Sequence, residues 1–241
     1  MKALLLSTFL ITLLSPYAEA KKRGGKGAFA GGSLSFGLGI ATTSASQDGM
    51  NDVIQIAKAT EGATVSTLSS GLEYIGHATF RFSNGLVAIQ LRPSYFKQEE
   101  SGTGTQGSYE YSLSGMAMFP LVRIIPLSND FIDFYMQGGI GYANLSGTIK
   151  NGSNTVDFSG GNFGAQIGIG ADFCFLPDHC FGAEGNFRYL PIPRNIVSSA
   201  SGVTPAGLSQ AGRDQELESF GNDVATKLTG ISGILMYTYN F

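Results

Sequence analysis

The sequence predicts an all-β fold: an eight-stranded antiparallel up-and-down transmembrane β-barrel, with short turns at one end and long loops at the other. Three observations predict it. From residue 33 to the last residue, apolar positions alternate with small or polar ones in eight separate segments, and a period of two means a strand with two unlike faces. Charged residues make up only 14%, while Gly reaches 34, Phe 17 and Tyr 10; a soluble domain carries about a quarter charged residues. Beyond the N-terminal region, no window approaches the roughly 20 apolar residues that a membrane helix needs. A barrel spreads its lipid-facing signal over alternate residues and so escapes such windows.

The first twenty residues set the compartment. Met1-Lys2 is a short positive region, Ala3 to Leu14 an apolar run, and Ala18-Glu19-Ala20 a small-x-small cleavage site. That order reads as a secretory signal peptide over 1–20. Residues 21–32, KKRGGKGAFAGG, are basic and Gly-rich and have too little apolar content to fold alone. They read as a flexible leader on the periplasmic side, with the barrel over 33–241.

The strands follow in order. In the first, Leu34, Phe36, Leu38 and Ile40 alternate with Ser and Gly. Residues 44–69 lose the alternation, and Met50, Val53, Ile54 and Ala57 fall at helical spacing, so a short helix can sit in this loop. Strand two, 70–82, sets Leu72, Tyr74, Phe80 and Phe82 against Glu73, His77, Thr79 and Arg81. Ser83-Asn84-Gly85 is a hairpin signal because Asn-Gly tolerates positive φ. Strand three, 86–97, sets Val87, Ile89 and Leu91 against Gln90 and Arg92, and 98–107 reads as a polar loop.

Strand four, about 108–122, carries Tyr109, Tyr111, Leu113 and Phe119 on one face and Glu110, Ser112, Met116 and Met118 on the other. A bend over 123–130 leads to strand five, 131–146, whose lipid-type row is Phe134, Met136, Ile140 and Tyr142. Residues 147–157 read as a loop. Strand six, 158–175, sets Ile167 and Ile169 against Gln166 and Asp172; strand seven, 180–190, sets Phe181 and Phe187 against Glu184 and Arg188. A long polar segment, 191–223, precedes strand eight, 224–241. Aromatic residues at strand ends, Phe80, Phe119, Phe173 and Phe241 on the turn side and Tyr95, Tyr109, Tyr142 and Tyr189 toward the loops, fit the two girdles of a membrane barrel. Connections alternate between short and longer ones, as bacterial outer-membrane barrels do with short periplasmic turns.

The inward charged set is Glu73, His77, Arg81, Arg92, Asp172, Glu184 and Arg188. Eight strands leave a lumen just wide enough to be filled by side chains. Charges there persist only when paired, so an internal network is expected, with Glu184, Arg92 and Arg188 among its members. It serves either as packing or as an ion path.

Cys174 and Cys180 flank a short turn, and in an oxidising compartment they read as a disulfide. With His179 they offer only three ligands and no fourth, so no metal site is expected. No Gly-rich loop opens a helix in a βαβ unit, which removes the nucleotide reading and leaves no cofactor. A net charge of −3 gives no basis for a nucleic-acid partner.

The chain finishes on LMYTYNF, with Leu235, Tyr237, Tyr239 and Phe241 on alternate positions. This run resembles the C-terminal β-signal of bacterial outer-membrane proteins. FYMQGGIGYA and GAEGNFRYLP are similar to strands of the small eight-stranded family that includes the outer-membrane protein A, X and W types. The resemblance covers about 33–241. It implies a bacterial outer-membrane location among lipid and lipopolysaccharide, with the last strand read by the barrel-assembly machinery.

Three functions stand open. One is a non-enzymatic structural or surface-interaction barrel that meets an external partner through loops 44–69 and 191–223, since loops carry function on rigid scaffolds. Another is a narrow, porin-like channel for small solutes or ions. The third is a lipid A-modifying enzyme, for which His77 and Thr79 supply a base and a hydroxyl but face inward, away from lipid.

Overall fold

A computed structural model describes residues 32–83, 85–176 and 178–241. The expected signal peptide and the leader up to residue 31 lie outside the described residues; Gly32 already belongs to the first strand. The elements are β1 (Gly32–Ser44), α1 (Asp48–Glu61), β2 (Ser70–Phe82), β3 (Val87–Gly104), β4 (Gly107–Ser128), β5 (Ile132–Asn151), β6 (Asn154–Leu176), β7 (His179–Tyr189), β8 (Pro191–Ile192), β9 (Ile196–Ser201), β10 (Glu218–Ser219), β11 (Asn222–Asp223), β12 (Thr226–Lys227) and β13 (Gly230–Asn240).

Eight strands close a ring. β1 to β7 pair with their chain neighbours, β7 pairs with β13, and β13 returns to β1, all antiparallel. Closure leaves no open edge along the ring. β9 pairs with the part of β6 that projects past β7, from Thr155 to Ser159.

The ring is uneven. β1, β2, β7 and β13 run 11 to 13 residues, whereas β3 to β6 run 18 to 23. Four strands therefore rise as a wall above the other four. Along that wall both faces change character at one level. The outward row is apolar up to Tyr95, Met116, Tyr142 and Phe163, then turns polar at Lys97, Ser114, Asn144 and Gly161. The inward row does the opposite. Gln90, Arg92, Arg123, Gln137 and Gln166 fill the lower level; Phe96, Tyr111, Leu113, Leu145, Ile149 and Phe158 fill the upper one, buried.

The physical reason is the change of solvent. Below the boundary the outside faces hydrocarbon and takes Leu38, Ile140 and Ile167, each more than 50% exposed. Above it the outside faces water, so apolar side chains turn in, as in any soluble domain. The apolar row from Ile231 to Phe241 on the closing strand covers about 25 Å at ~3.3 Å per residue and a tilt near 40°. That matches the apolar band of an outer-membrane barrel.

Inside the wall sits the crown. Met50, Val53, Ile54 and Ala57 on one face of α1 are buried against Leu68, Tyr109, Leu113 and the segment after β7, including Leu190, Val197, Leu217 and Val224. Gly62 closes the helix in the left-handed conformation, φ 61°. Gln47 leaves its capping position unused and ties the two long connections together. Its amide donates to the Lys227 carbonyl at 2.8 Å and accepts from the Lys227 N–H at 3.0 Å.

Several sequence boundaries shift for this reason. Residues 98–107 and 147–157 are not loops but the upper ends of paired strands, whose outward row reads as loop because water is outside. β4 continues to Ser128 across the expected bend. Residues 44–69 and 191–223, read as the two long external loops, pack together as the crown. Tyr109 and Phe119 belong to no girdle: both point inward and are buried.

Candidate functional site

The lower lumen is organised by Glu184. Its carboxylate accepts from both terminal nitrogens of Arg92, the Nη2 contact being 2.7 Å, from Arg123 Nη2 at 3.3 Å and from Tyr135 at 3.1 Å, with Gln137 and Asn186 amides completing the set. β3, β4, β5 and β7 thus converge on one carboxylate whose side chain is 0% exposed. Arg123 lies 3.9 Å over the Tyr135 ring and reaches Asp172 at 3.6 Å. Toward the turn end, Arg81 pairs with Asp133 at 2.8 Å.

His77 joins this cluster indirectly. Its ring meets Thr238 at 3.2 Å and Thr79 at 3.3 Å; Thr79 accepts from Gln90, and Gln90 accepts from Arg92. Arg188 does not touch Glu184. It donates to Glu73 at 2.6 Å, higher in the lumen, where Thr43 also donates to Glu73. The difference follows from register: Arg188 lies opposite Gln166 and Gly230, nearer the crown than Glu184 opposite Gly170 and Ile234.

Of the residues singled out from the sequence, Arg92, Asp172 and Glu184 meet in one cluster, Glu73 and Arg188 in a second, and Arg81 stands in a third. Sequence reasoning missed Arg123, Tyr135, Gln137 and Asn186. The first was hidden by ending strand four at 122; row parity with Leu121 and Ile125 was the available signal.

At the turn end, Cys174 and Cys180 are joined as a disulfide. Leu235, Tyr237, Tyr239 and Phe241 share the outer face of the last strand. Phe241 stacks edge-on against Phe36 at 5.6 Å and Tyr239 at 4.8 Å. Phe181, Tyr237, Phe175 and Phe131 extend the belt, and Tyr74, Tyr95, Tyr142, Phe163 and Tyr189 stand at its upper rim. Aromatic girdles at both rims are characteristic of transmembrane barrels.

Among the described residues, both levels of the lumen are lined by buried side chains. Inward side chains stay buried from Thr238 and His77 through Arg92 and Glu184 to Phe119, Leu113 and Ile54. A closed apolar-skinned ring of eight up-and-down strands, filled inside, defines a small transmembrane β-barrel.

Comparison with solved structures gives the same class. The chain is similar to the outer-membrane protein OprG from Pseudomonas aeruginosa, with a TM-score of 0.57 and 13% identity over 88% of this chain and 96% of that one. It is also similar to Ail, the attachment invasion locus protein of Yersinia pestis, with a TM-score of 0.43 and 11% identity over 88% of this chain and 100% of that one. No protein-family model matches the sequence, and no curated protein does. The fold is that of the small bacterial outer-membrane β-barrels.

Proposed function

We propose that this protein is a non-conducting, non-enzymatic barrel of the bacterial outer membrane whose work is done by its external crown. The observation that carries this reading is the filled lumen: a charged plug in the membrane level and an apolar plug, sealed by α1, above it. A porin-like bore would leave inward side chains wet. Instead, the sequence uses its longest connections to build an ordered surface, and rigid scaffolds that display such surfaces commonly bind through them.

Lipid-facing Leu38, Ile140 and Ile167, the two aromatic rims and the polar crown support placement in the outer membrane among lipid and lipopolysaccharide. The alternating aromatic run that closes on Phe241 supports delivery by the barrel-assembly machinery. An enzymatic reading loses support at His77: it is buried within the lumen beside Thr79 and Thr238, and among the described residues no carboxylate hydrogen-bonds its ring. A triad needs that third group and an open path to substrate.

Planar-bilayer recording of the purified, refolded chain tests the reading. Heat-modifiable protein that inserts yet carries no unitary current is the expected result. Stable current steps from the intact chain would overturn it.

A further inference from the structure

We propose that the Cys174–Cys180 disulfide is a thiol–disulfide exchange site, entered at Cys174 by a thiolate reductant, and that it latches the end of the closing strand. The bond joins residues that stand opposite each other on β6 and β7. Both lie on the inward rows, one pair beyond Asp172 and Gly182 toward the turn. The site is separate from the crown and does not depend on the surface reading above.

The two cysteines are not equivalent. Cys180 is 3% exposed, whereas Cys174 is only partly buried and leads into the exposed pair Phe175 and Leu176. Exchange proceeds by attack of a thiolate on one sulfur while the other departs as a thiolate, and access helps to decide which sulfur is attacked. The attacking sulfur must come in along the line of the bond that breaks. Solvent access therefore selects Cys174.

The departing sulfur is then Cys180, where burial opposes a charge. One contact offsets that cost. The Asn240 side-chain amide donates to Cys180 Sγ at 3.2 Å, and a hydrogen bond strengthens when its acceptor becomes ionised. In the first step the incoming thiolate forms a bond to Cys174 Sγ, and the Cys174–Cys180 bond breaks with its electron pair on Cys180 Sγ. In the second step another thiol of the reductant, as its thiolate, attacks the mixed disulfide and Cys174 leaves. The two protons given up by the reductant's thiols end on the two cysteines. The reductant becomes a disulfide, oxidised by two electrons.

The same residue couples the bond to the closing strand. Asn240 ends β13, and its backbone N–H donates to the Asp178 carbonyl, inside the disulfide-bounded turn, at 2.8 Å. The next N–H, that of Phe241, donates to the Leu34 carbonyl of β1 at 2.9 Å. The turn thus holds the end of β13 where the ring closes. Reduction removes the covalent closure of that turn and loosens the end of the strand.

The test treats the whole chain, refolded in detergent micelles, briefly with β-mercaptoethanol as the probe. After an acid quench the chain is unfolded, freed thiols are capped with N-ethylmaleimide, and fragment mass spectra locate the two tags. In the folded chain the mercaptoethanol adduct should favour Cys174 over Cys180 by about tenfold or more, and in urea the preference should vanish. Asn240→Leu should slow the reaction of the folded chain about fivefold. Once the bond is reduced, amide hydrogen exchange should quicken about tenfold at Asn240 and Phe241 and stay unchanged at Leu235, within the ladder.

Equal tagging of the two cysteines in the folded chain, a majority on Cys180, no reaction of a folded chain whose unfolded form reacts, or an unchanged rate in Asn240→Leu each overturns the exchange site. Should Asn240→Leu fail to fold, the tagging ratio of the unaltered chain decides. Unchanged amide exchange at Asn240 and Phe241 after reduction overturns the latch.

Discussion

At the residue scale, Glu184 is the position on which the membrane level depends. Arg92 and Arg123 both lean on it, and their side chains are only 3% and 5% exposed. Glu184→Gln keeps the shape but removes the one carboxylate that, among the described residues, pairs with both buried cations, since Asp172 reaches Arg123 alone, at 3.6 Å. A broken buried ion pair costs about 3–5 kcal/mol. The urea midpoint of the heat-modifiable form should fall accordingly, and an unshifted midpoint would show that the network is ornamental. Glu184 and Arg92 were legible in the sequence because row parity alone puts them inside. The partner of Arg188 was not. Pairing it with Glu73 rather than Glu184 depends on the stagger between strands that are 115 residues apart in sequence, and no local pattern encodes that.

At the element scale, α1 ties the two long connections into one body. Its apolar face was visible as Met50, Val53, Ile54 and Ala57 at helical spacing; that it would be a core element was not, because its cover comes from residues 190–228. The upper strands hid for a related reason. Lys97 to Ser101 and Ser146 to Lys150 alternate as well as any strand, but with the polar row outward, so a search for greasy outer rows stops short of them. Ile54→Ala empties the centre of the crown and should cost about 2–5 kcal/mol there. Limited proteolysis should then cut residues 44–69 and 191–223, while the ring keeps its heat-modifiable migration. The start of the helix offers a milder probe. The hydrogen bond from Lys227 holds the Asp48 carboxyl below its ordinary 3.8, the Ser46 hydroxyl helps, and burial opposes. Because the folded value is the lower one, this tie adds stability above about pH 4 and loses it as pH falls through the folded value. The carboxylate is exposed, so the tie is worth a few tenths of a kcal/mol. The Asp48 carboxyl carbon should titrate below 3.8 by NMR, and Lys227→Met should raise the midpoint.

At the scale of the whole molecule, one chain solves two solvent problems on the same four strands. Lipid asks for apolar side chains outside and satisfied polar groups within; water asks for the reverse. The two patterns meet between Tyr95 and Lys97, Met116 and Ser114, Tyr142 and Asn144, Phe163 and Gly161, and no strand breaks there: β3 to β6 run straight through. The boundary is therefore a claim about where the hydrocarbon ends, and a single type of substitution can locate it. Ile167 faces outward in the belt and Ser146 faces outward above it. A lysine near the middle of the apolar band of a barrel costs about 2–4 kcal/mol, falling toward zero at its rims. Ile167→Lys should lower the fraction of chain that folds into lipid vesicles and move its urea midpoint by that amount, whereas Ser146→Lys should change neither. In detergent-free water the ranking has no basis, because neither site is packed. Equal tolerance of lysine at both positions in vesicles would mean that the apolar row of β6 does not face hydrocarbon, and the membrane level would have to be sought elsewhere on the wall.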